Sequence, residues 1–467
     1  MYVNESMDIK YHKWSKSEAK HFFQSCRNHL NVSEPQLYFP IMSLFFYTHN
    51  TPNSHRVIDF KRDHYVKEIL SQTPLKPYTS NSLVKCIVHE KNVVQTRTLF
   101  AKAIPLLDPI HYLLNNYCIS HHRNPLLPSN YNFNTISKIN DMNNMGYIDV
   151  FFSFVASQIS LKNLNPSFPV YYGAFTCLGN YKHDITEDIH ELKHHDGFKS
   201  MLSMIHIDQF DLGSDSDSES EEEDYIATFQ KFPMIYQCIE ALEGTLEDII
   251  QQELSLSLLK SCLFQITFAL IYLQKHYYFT HNDLHINNVM YQSTDRPFLY
   301  YKYNNQYFKI PTYGKLFKII DFGRSIFTFR KKTYMNDVFS KYGEAEGQYT
   351  HPPQVSFLKT NYKDMIYPSY HFDLCRLAIT MIDEIRYNHD DDLEDNDNYQ
   401  YFLSFLKHLV TDKDGVRLDK LEDDFDLYIK IAKNSVNSLP RDVLVNPFFY
   451  EYRVKKKQFP KSTYYTV

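Results

Sequence analysis

The sequence predicts an α+β fold in two parts, a β-rich first part with one helix and a mostly helical second part. Three observations predict it. β-prone runs bounded by turn residues recur between about residues 80 and 240, at Leu83–His89, Val93–Ile104, Phe168–Gly173 and Pro233–Glu240. One stretch inside them, residues 142–160, instead places Ile148, Phe151, Phe152, Val155 and Ile159 at spacings of three and four, the period of a helix. Beyond 240 the helical period takes over, with Leu259, Leu263, Ile266, Leu270 and Leu273 forming one long apolar stripe.

Each element has a local reason. Ser15 with Glu18 three residues on is a capping-box signature, and Phe22, Phe23 and Cys26 supply one face of the helix begun there. Residues 1–75 read as an extension packed on the two-part domain. Glu90-Lys91-Asn92 reads as the turn between the first two strands. A polar segment covers about 180–230, and within it residues 208–226 form an acidic, serine-rich insert expected to be disordered. Ser214, Ser216, Ser218 and Ser220 each have an acid three residues on, a pattern suited to acidophilic kinases. Asp295–Gly314 reads as an inserted hairpin turning at Asn304-Asn305, and Asp390–Asp397 as an acidic loop.

Composition narrows the function. A net charge of −6 gives no electrostatic case for nucleic-acid binding. The seven cysteines are scattered, without a CxxC pair, which argues for a reducing compartment over a disulfide frame or zinc site. No run of eighteen apolar residues and no leader pattern stand out, so membrane insertion is not expected and a cytoplasmic location is.

The chemistry lies in two motifs. His281-Asn282-Asp283-Leu284-His285-Ile286-Asn287-Asn288 is followed by Lys318-Ile319-Ile320-Asp321-Phe322-Gly323. Two carboxylates and an amide of this kind suit a hard cation and a base for a hydroxyl proton. His-x-Asp-Leu-x-x-x-Asn with Asp-Phe-Gly resembles the signature pair of the protein-kinase superfamily. The resemblance implies a bilobal fold over about 76–450: a small β-rich lobe at 76–239, a hinge at 240–244 and a larger α-helical lobe at 245–450, with 451–467 as a tail. It implies ATP and Mg2+ as cofactors. Asp283 would take the proton of the acceptor hydroxyl, and Asn288 and Asp321 would ligate magnesium.

The same resemblance assigns residues upstream. Leu99-Phe100-Ala101-Lys102-Ala103-Ile104 matches the strand whose lysine holds the α- and β-phosphates, and Asp149 is the candidate acid to pair with Lys102. Ile239, Glu240 and Leu242 match the segment that lines and bonds the adenine. Asp373, in Tyr370–Ala378, would tether the loop bearing Asp283. Pro311–Arg324, Phe168–Gly173 and Asn446–Phe449 further resemble serine/threonine kinases of large nucleocytoplasmic DNA viruses. That likeness implies a viral protein of the infected-cell cytoplasm or virion, and leaves the protein substrate open.

The chain departs from the kinase pattern at several points. Asn282 stands where an arginine is usual, and His285 where a lysine is. Pro352-Pro353-Gln354 lacks the acid of Ala-Pro-Glu. No glycine precedes Gly146, so the phosphate loop expected near Tyr78–Leu83 has none. The expectation is a serine/threonine protein kinase transferring the γ-phosphoryl of Mg-ATP. The alternatives are a pseudokinase scaffold, favoured by the missing glycines, and a small-molecule kinase, suggested by His285.

Overall fold

A computed structural model describes residues 7–45, 55–117, 133–210, 224–252, 254–341, 343–351, 365–393, 396–421 and 425–467. The fold is α+β, in two compact units. A sheet unit comprises residues 9–151 and 171–241, and a helical unit comprises 1–8, 152–170 and 242–467.

The sheet unit begins with β1 (Tyr11–Lys13), α1 (Lys16–Leu30), β2 (Ser33–Gln36), β3 (Ile58–Phe60), β4 (His64–Pro74), β5 (Ser82–Glu90) and β6 (Val93–Pro105). Next come α2 (Pro109–Leu113), α3 (Phe133–Asn140) and α4 (Met145–Leu161), whose last ten residues belong to the helical unit. The sheet then resumes with β7 (Tyr171–Asp184), passes through α5 (Ile189–Leu192) and α6 (Asp196–Met201), and ends with β8 (Ile205–Phe210) and β9 (Asp224–Glu240). Seven strands form one antiparallel sheet in the order β2-β7-β9-β6-β5-β4, with β8 added on β9.

The residues explain the elements. Both bonds of the capping box form: Glu18 N donates to Ser15 Oγ at 3.2 Å, and Ser15 N donates to the Glu18 carboxylate at 3.1 Å. Phe22 and Cys26 are buried on the face that this start sets. Ile148, Phe151, Phe152, Val155 and Ile159 are all fully buried on α4. Arg62 forms a buried ion pair with Asp59 at 2.7 Å and donates to the Tyr172 and Phe60 carbonyls. Gly173, at φ +142°, leaves room for that guanidinium, since a Cβ there would run into Arg62 Nη2.

The helical unit contains β10 (Gly244–Thr245), α7 (Leu246–Gln252), α8 (Leu256–Tyr277), β11 (Val289–Ser293), β12 (Phe298–Tyr303), β13 (Gln306–Pro311), β14 (Lys315–Ile319), β15 (Ile326–Phe329) and β16 (Lys332–Met335). It closes with α9 (Phe372–Leu393), α10 (Asp397–Leu409), α11 (Phe425–Asn434), α12 (Pro440–Val443) and β17 (Tyr465–Thr466). Three small sheets run β10-β11-β14, β13-β12-β17 and β15-β16. By length and composition α8 could cross a membrane, but 83% of its apolar window is buried inside the fold. Its stripe residues Leu259, Leu263, Ile266, Leu270 and Leu273 all lie in the core.

The inserted hairpin is present. Asn304 and Asn305 link β12 to β13 with φ of +44° and +60°, a left-handed pair that matches the twist of a two-residue hairpin.

Several expected boundaries move. The extension expected at 1–75 runs into the sheet itself, because β4 is a full strand of it and pairs with β5 along its length. The polar segment 180–230 holds α5, α6 and β8, whose buried Ile189, Leu192, Phe198 and Met201 join a core cluster with Phe229 and Phe232. The sparse apolar residues there fall on short elements that a helical or alternating window does not register. The acidic insert is shorter than expected, since Asp208–Phe210 pairs with Asp224–Ile226; residues 211–223 lie outside the described residues. The acidic stretch from Asp390 continues α9 as far as Leu393. The segment 451–467 is tied in, because β17 pairs with β12 in parallel. Phe168, Pro169 and Val170 precede their strand, which starts at Tyr171.

Candidate active site

The two motifs meet through β11 and β14. These strands pair antiparallel, with Val289 opposite Ile319, so Asn288 and Asp321 emerge at the same end of the ladder. Ile320 N donates to the Asn288 carbonyl at 3.1 Å, and the His281 ring donates from Nε2 to the Ile320 carbonyl at 2.8 Å. Ile320, the residue just before Asp321, is thus fixed through both its N–H and its carbonyl to the loop that carries Asp283. Asp321 itself takes φ +61° and accepts from Gly323 N at 3.2 Å. Phe322 is buried against Phe152, Phe279 and His281, at ring distances of 5.0, 6.1 and 5.8 Å.

Asp373 anchors the loop that carries Asp283. Its fully buried carboxylate accepts from His281 N at 2.9 Å and from Asn282 N at 3.0 Å. Burial pushes its pKa above the usual carboxylate value, and the two backbone donors oppose that.

Asn282 has a structural role. It sits at φ +64°, where asparagine is tolerated far better than most residues. Its Nδ2 donates to the Arg324 carbonyl at 2.9 Å and its Oδ1 accepts from the Tyr349 hydroxyl at 2.9 Å. The side chain is engaged wholly inside the protein.

His285 orients Asn288. Asn288 Nδ2 donates to the Asp283 carbonyl at 2.8 Å and to His285 Nε2 at 3.0 Å. Both amide protons are then used on the protein, and Oδ1 is the amide atom that could serve a cation. A neutral ring accepting at Nε2 carries its proton on Nδ1, so in this tautomer Nδ1 cannot also accept from Asn287 N, which stands 3.3 Å away. Burial holds the His285 pKa below the usual histidine value, with Asp283 pulling the other way. A neutral ring suits this arrangement.

Asp283 Oδ1 accepts from the Tyr428 hydroxyl at 2.8 Å. No sequence pattern marked Tyr428, which lies on α11 far along the chain. Asp283, Arg324, Arg376 and Tyr428 line an open groove of about 450 Å³, with Glu247 and Glu384 also on its walls. Arg324 pairs with Glu344.

A second cluster belongs to the sheet unit. Lys102 Nζ meets Asp149 Oδ2 at 2.8 Å, with the Asp149 side chain 2% exposed. The pair joins β6 to α4, as the shorter acid would require. Ile239 and Glu240 end β9, opposite Phe100 and Leu99 of the lysine strand. Leu242 stands where the chain passes into the helical unit, and Glu243 N donates to the Tyr291 carbonyl at 3.0 Å.

The glycine-free turn lies between β4 and β5, at residues 75–81, and Ser82 and Leu83 already belong to β5. Its shape is set by other contacts. Lys182 N donates to Ser80 Oγ at 2.8 Å, the Lys182 ammonium meets the Pro77 carbonyl, and Ala103 N donates to Asn81 Oδ1 at 2.9 Å.

No cluster of three or more His, Cys, Asp or Glu that could hold a metal occurs among the described residues. One carboxylate and one amide oxygen still suit Mg2+, which takes most of its shell from phosphate and water. Pro352-Pro353-Gln354 and Ser214–Ser220 lie outside the described residues. Comparison with protein-family models and with curated proteins finds no match for this chain.

Proposed function

We propose that this chain is a serine/threonine protein kinase of bilobal kinase-like fold, transferring the γ-phosphoryl group of ATP to protein hydroxyls. The observation that carries the reading is the joining of the two motif loops, with Asn288 and Asp321 brought to one end of the β11–β14 ladder beside Asp283. The Lys102–Asp149 pair adds to it, because a strand lysine held by a helix acid is what phosphate positioning requires.

The roles follow from chemistry. Asp283 would accept the proton of the acceptor hydroxyl as that oxygen attacks. Lys102 would hold the α- and β-phosphates, steadied by Asp149. Ile239, Glu240 and Leu242 would line and bond the adenine. Asn288 Oδ1 and the Asp321 carboxylate would hold Mg2+, which neutralises phosphate charge when bound. The test is labelled phosphate from ATP on casein, on histone or on the protein itself. Incorporation by the unaltered chain and its loss in Asp283→Ala are expected. A silent unaltered chain would overturn the reading.

A pseudokinase scaffold is the second reading. The turn at 75–81 favours it, since side-chain and strand contacts occupy a loop that glycines would leave open to phosphate. Such a protein would show no transfer yet keep its partners in pull-downs with Asp283→Ala.

A further inference from the structure

We propose that Tyr428 is a positioning residue for phosphoryl transfer, its hydroxyl holding Oδ1 of Asp283 so that Oδ2 is presented to the acceptor. The inference rests on the kinase reading. Its basis is geometric. The phenol donates to Oδ1 at 2.8 Å, and Oδ2 takes no hydrogen bond among the described residues. A carboxylate with one oxygen fixed and the other open is oriented for a single proton acceptance.

The ring is itself held. Phe425 stacks on it at 6.1 Å and Phe372 lies at 5.9 Å. The guanidinium carbons of Arg376 and Arg324 stand 4.9 and 5.5 Å from its centroid. Burial and the Asp283 charge push its pKa up to about 12, so the phenol stays protonated and donates at neutral pH. Asp283 and Tyr428 both line the groove of about 450 Å³, which is wide enough to admit an acceptor side chain.

The same bond could instead block the base by standing in for the acceptor, and the two roles give opposite kinetics. Tyr428→Phe in the full chain keeps the ring and removes the hydroxyl alone. With casein and Mg-ATP, kcat is expected to fall about tenfold, the loss of roughly 1.4 kcal/mol of transition-state stabilisation. KM for ATP should stay within about twofold and the melting temperature within about 2 °C. Ile429→Ala, the next residue of α11, should leave kcat unchanged, which separates the hydroxyl from packing of the helix.

An unchanged or raised kcat in Tyr428→Phe would overturn the proposal. So would a loss confined to KM, an equal loss in Ile429→Ala, or failure of Tyr428→Phe to fold. Each removes this role and leaves the kinase reading standing. Absence of transfer by the unaltered chain removes both.

Discussion

At the scale of single residues, the chain solves the demands of its motif loops with uncommon side chains. Asn282 occupies a left-handed position and is hydrogen-bonded on both ends of its amide. Asn282→Arg would therefore strain the backbone and break the Tyr349 contact, and it should lower stability by roughly 1–3 kcal/mol in denaturant titrations. Lys102→Ala would strip Asp149 of the cation at 2.8 Å while its carboxylate stays buried. That change should cost about 3 kcal/mol of sheet-unit stability, and Asp149→Asn beside Lys102→Ala should recover part of it. Melting of the two variants and the pair checks this. The Lys102–Asp149 pairing was legible because a charge among apolar residues needs a reason. Tyr428 was not, since nothing local in its helix signals that its hydroxyl meets a carboxylate from another part of the chain.

At the scale of elements, the strongest periodic segments were the most legible. The 142–160 and 256–277 stripes became α4 and α8, and the Asn304-Asn305 turn became the β12–β13 hairpin. Short elements between 185 and 210 escaped because four to six residues carry too little period to detect. One helix makes a pH prediction. His276, near the end of α8, is buried, and burial lowers its pKa from 6.5 to about 4. In the unfolded chain it takes up a proton near pH 6.5, while the folded chain resists until about pH 4. Stability should thus fall as pH drops through that window, by on the order of 2 kcal/mol from this residue. Urea titrations at pH 7 and pH 4.5 should show a smaller difference in His276→Gln. Ser15→Ala removes one capping bond of α1 and should cost about 1 kcal/mol.

At the scale of the whole molecule, the division into a sheet unit and a helical unit was legible from the switch of period near residue 240. The outer limits were not, because β4 lies before the first strand that the pattern revealed and β17 spans two residues. Binding to the native state alone gives a global readout of the proposed function. Mg-ATP at a hundred times its Kd should stabilise the chain by about 2.7 kcal/mol, and Asp321→Asn should lose the magnesium-dependent share. Thermal-shift curves with ATP, with and without magnesium, check this. Asp59→Asn would leave the buried Arg62 without its carboxylate, with an expected loss of about 3–5 kcal/mol.

The sheet order places β4 and β2-β7 at opposite ends, yet β4 comes up against β7, and the turn after β4 reaches Lys182 of β7 through Ser80. Ser80 thus takes up a backbone N–H of β7 beyond Thr176 and Leu178, where short β2 pairs. A free strand edge is a template for joining another chain. Ser80→Ala would therefore announce itself first as turbidity on concentration, before any fall in melting temperature.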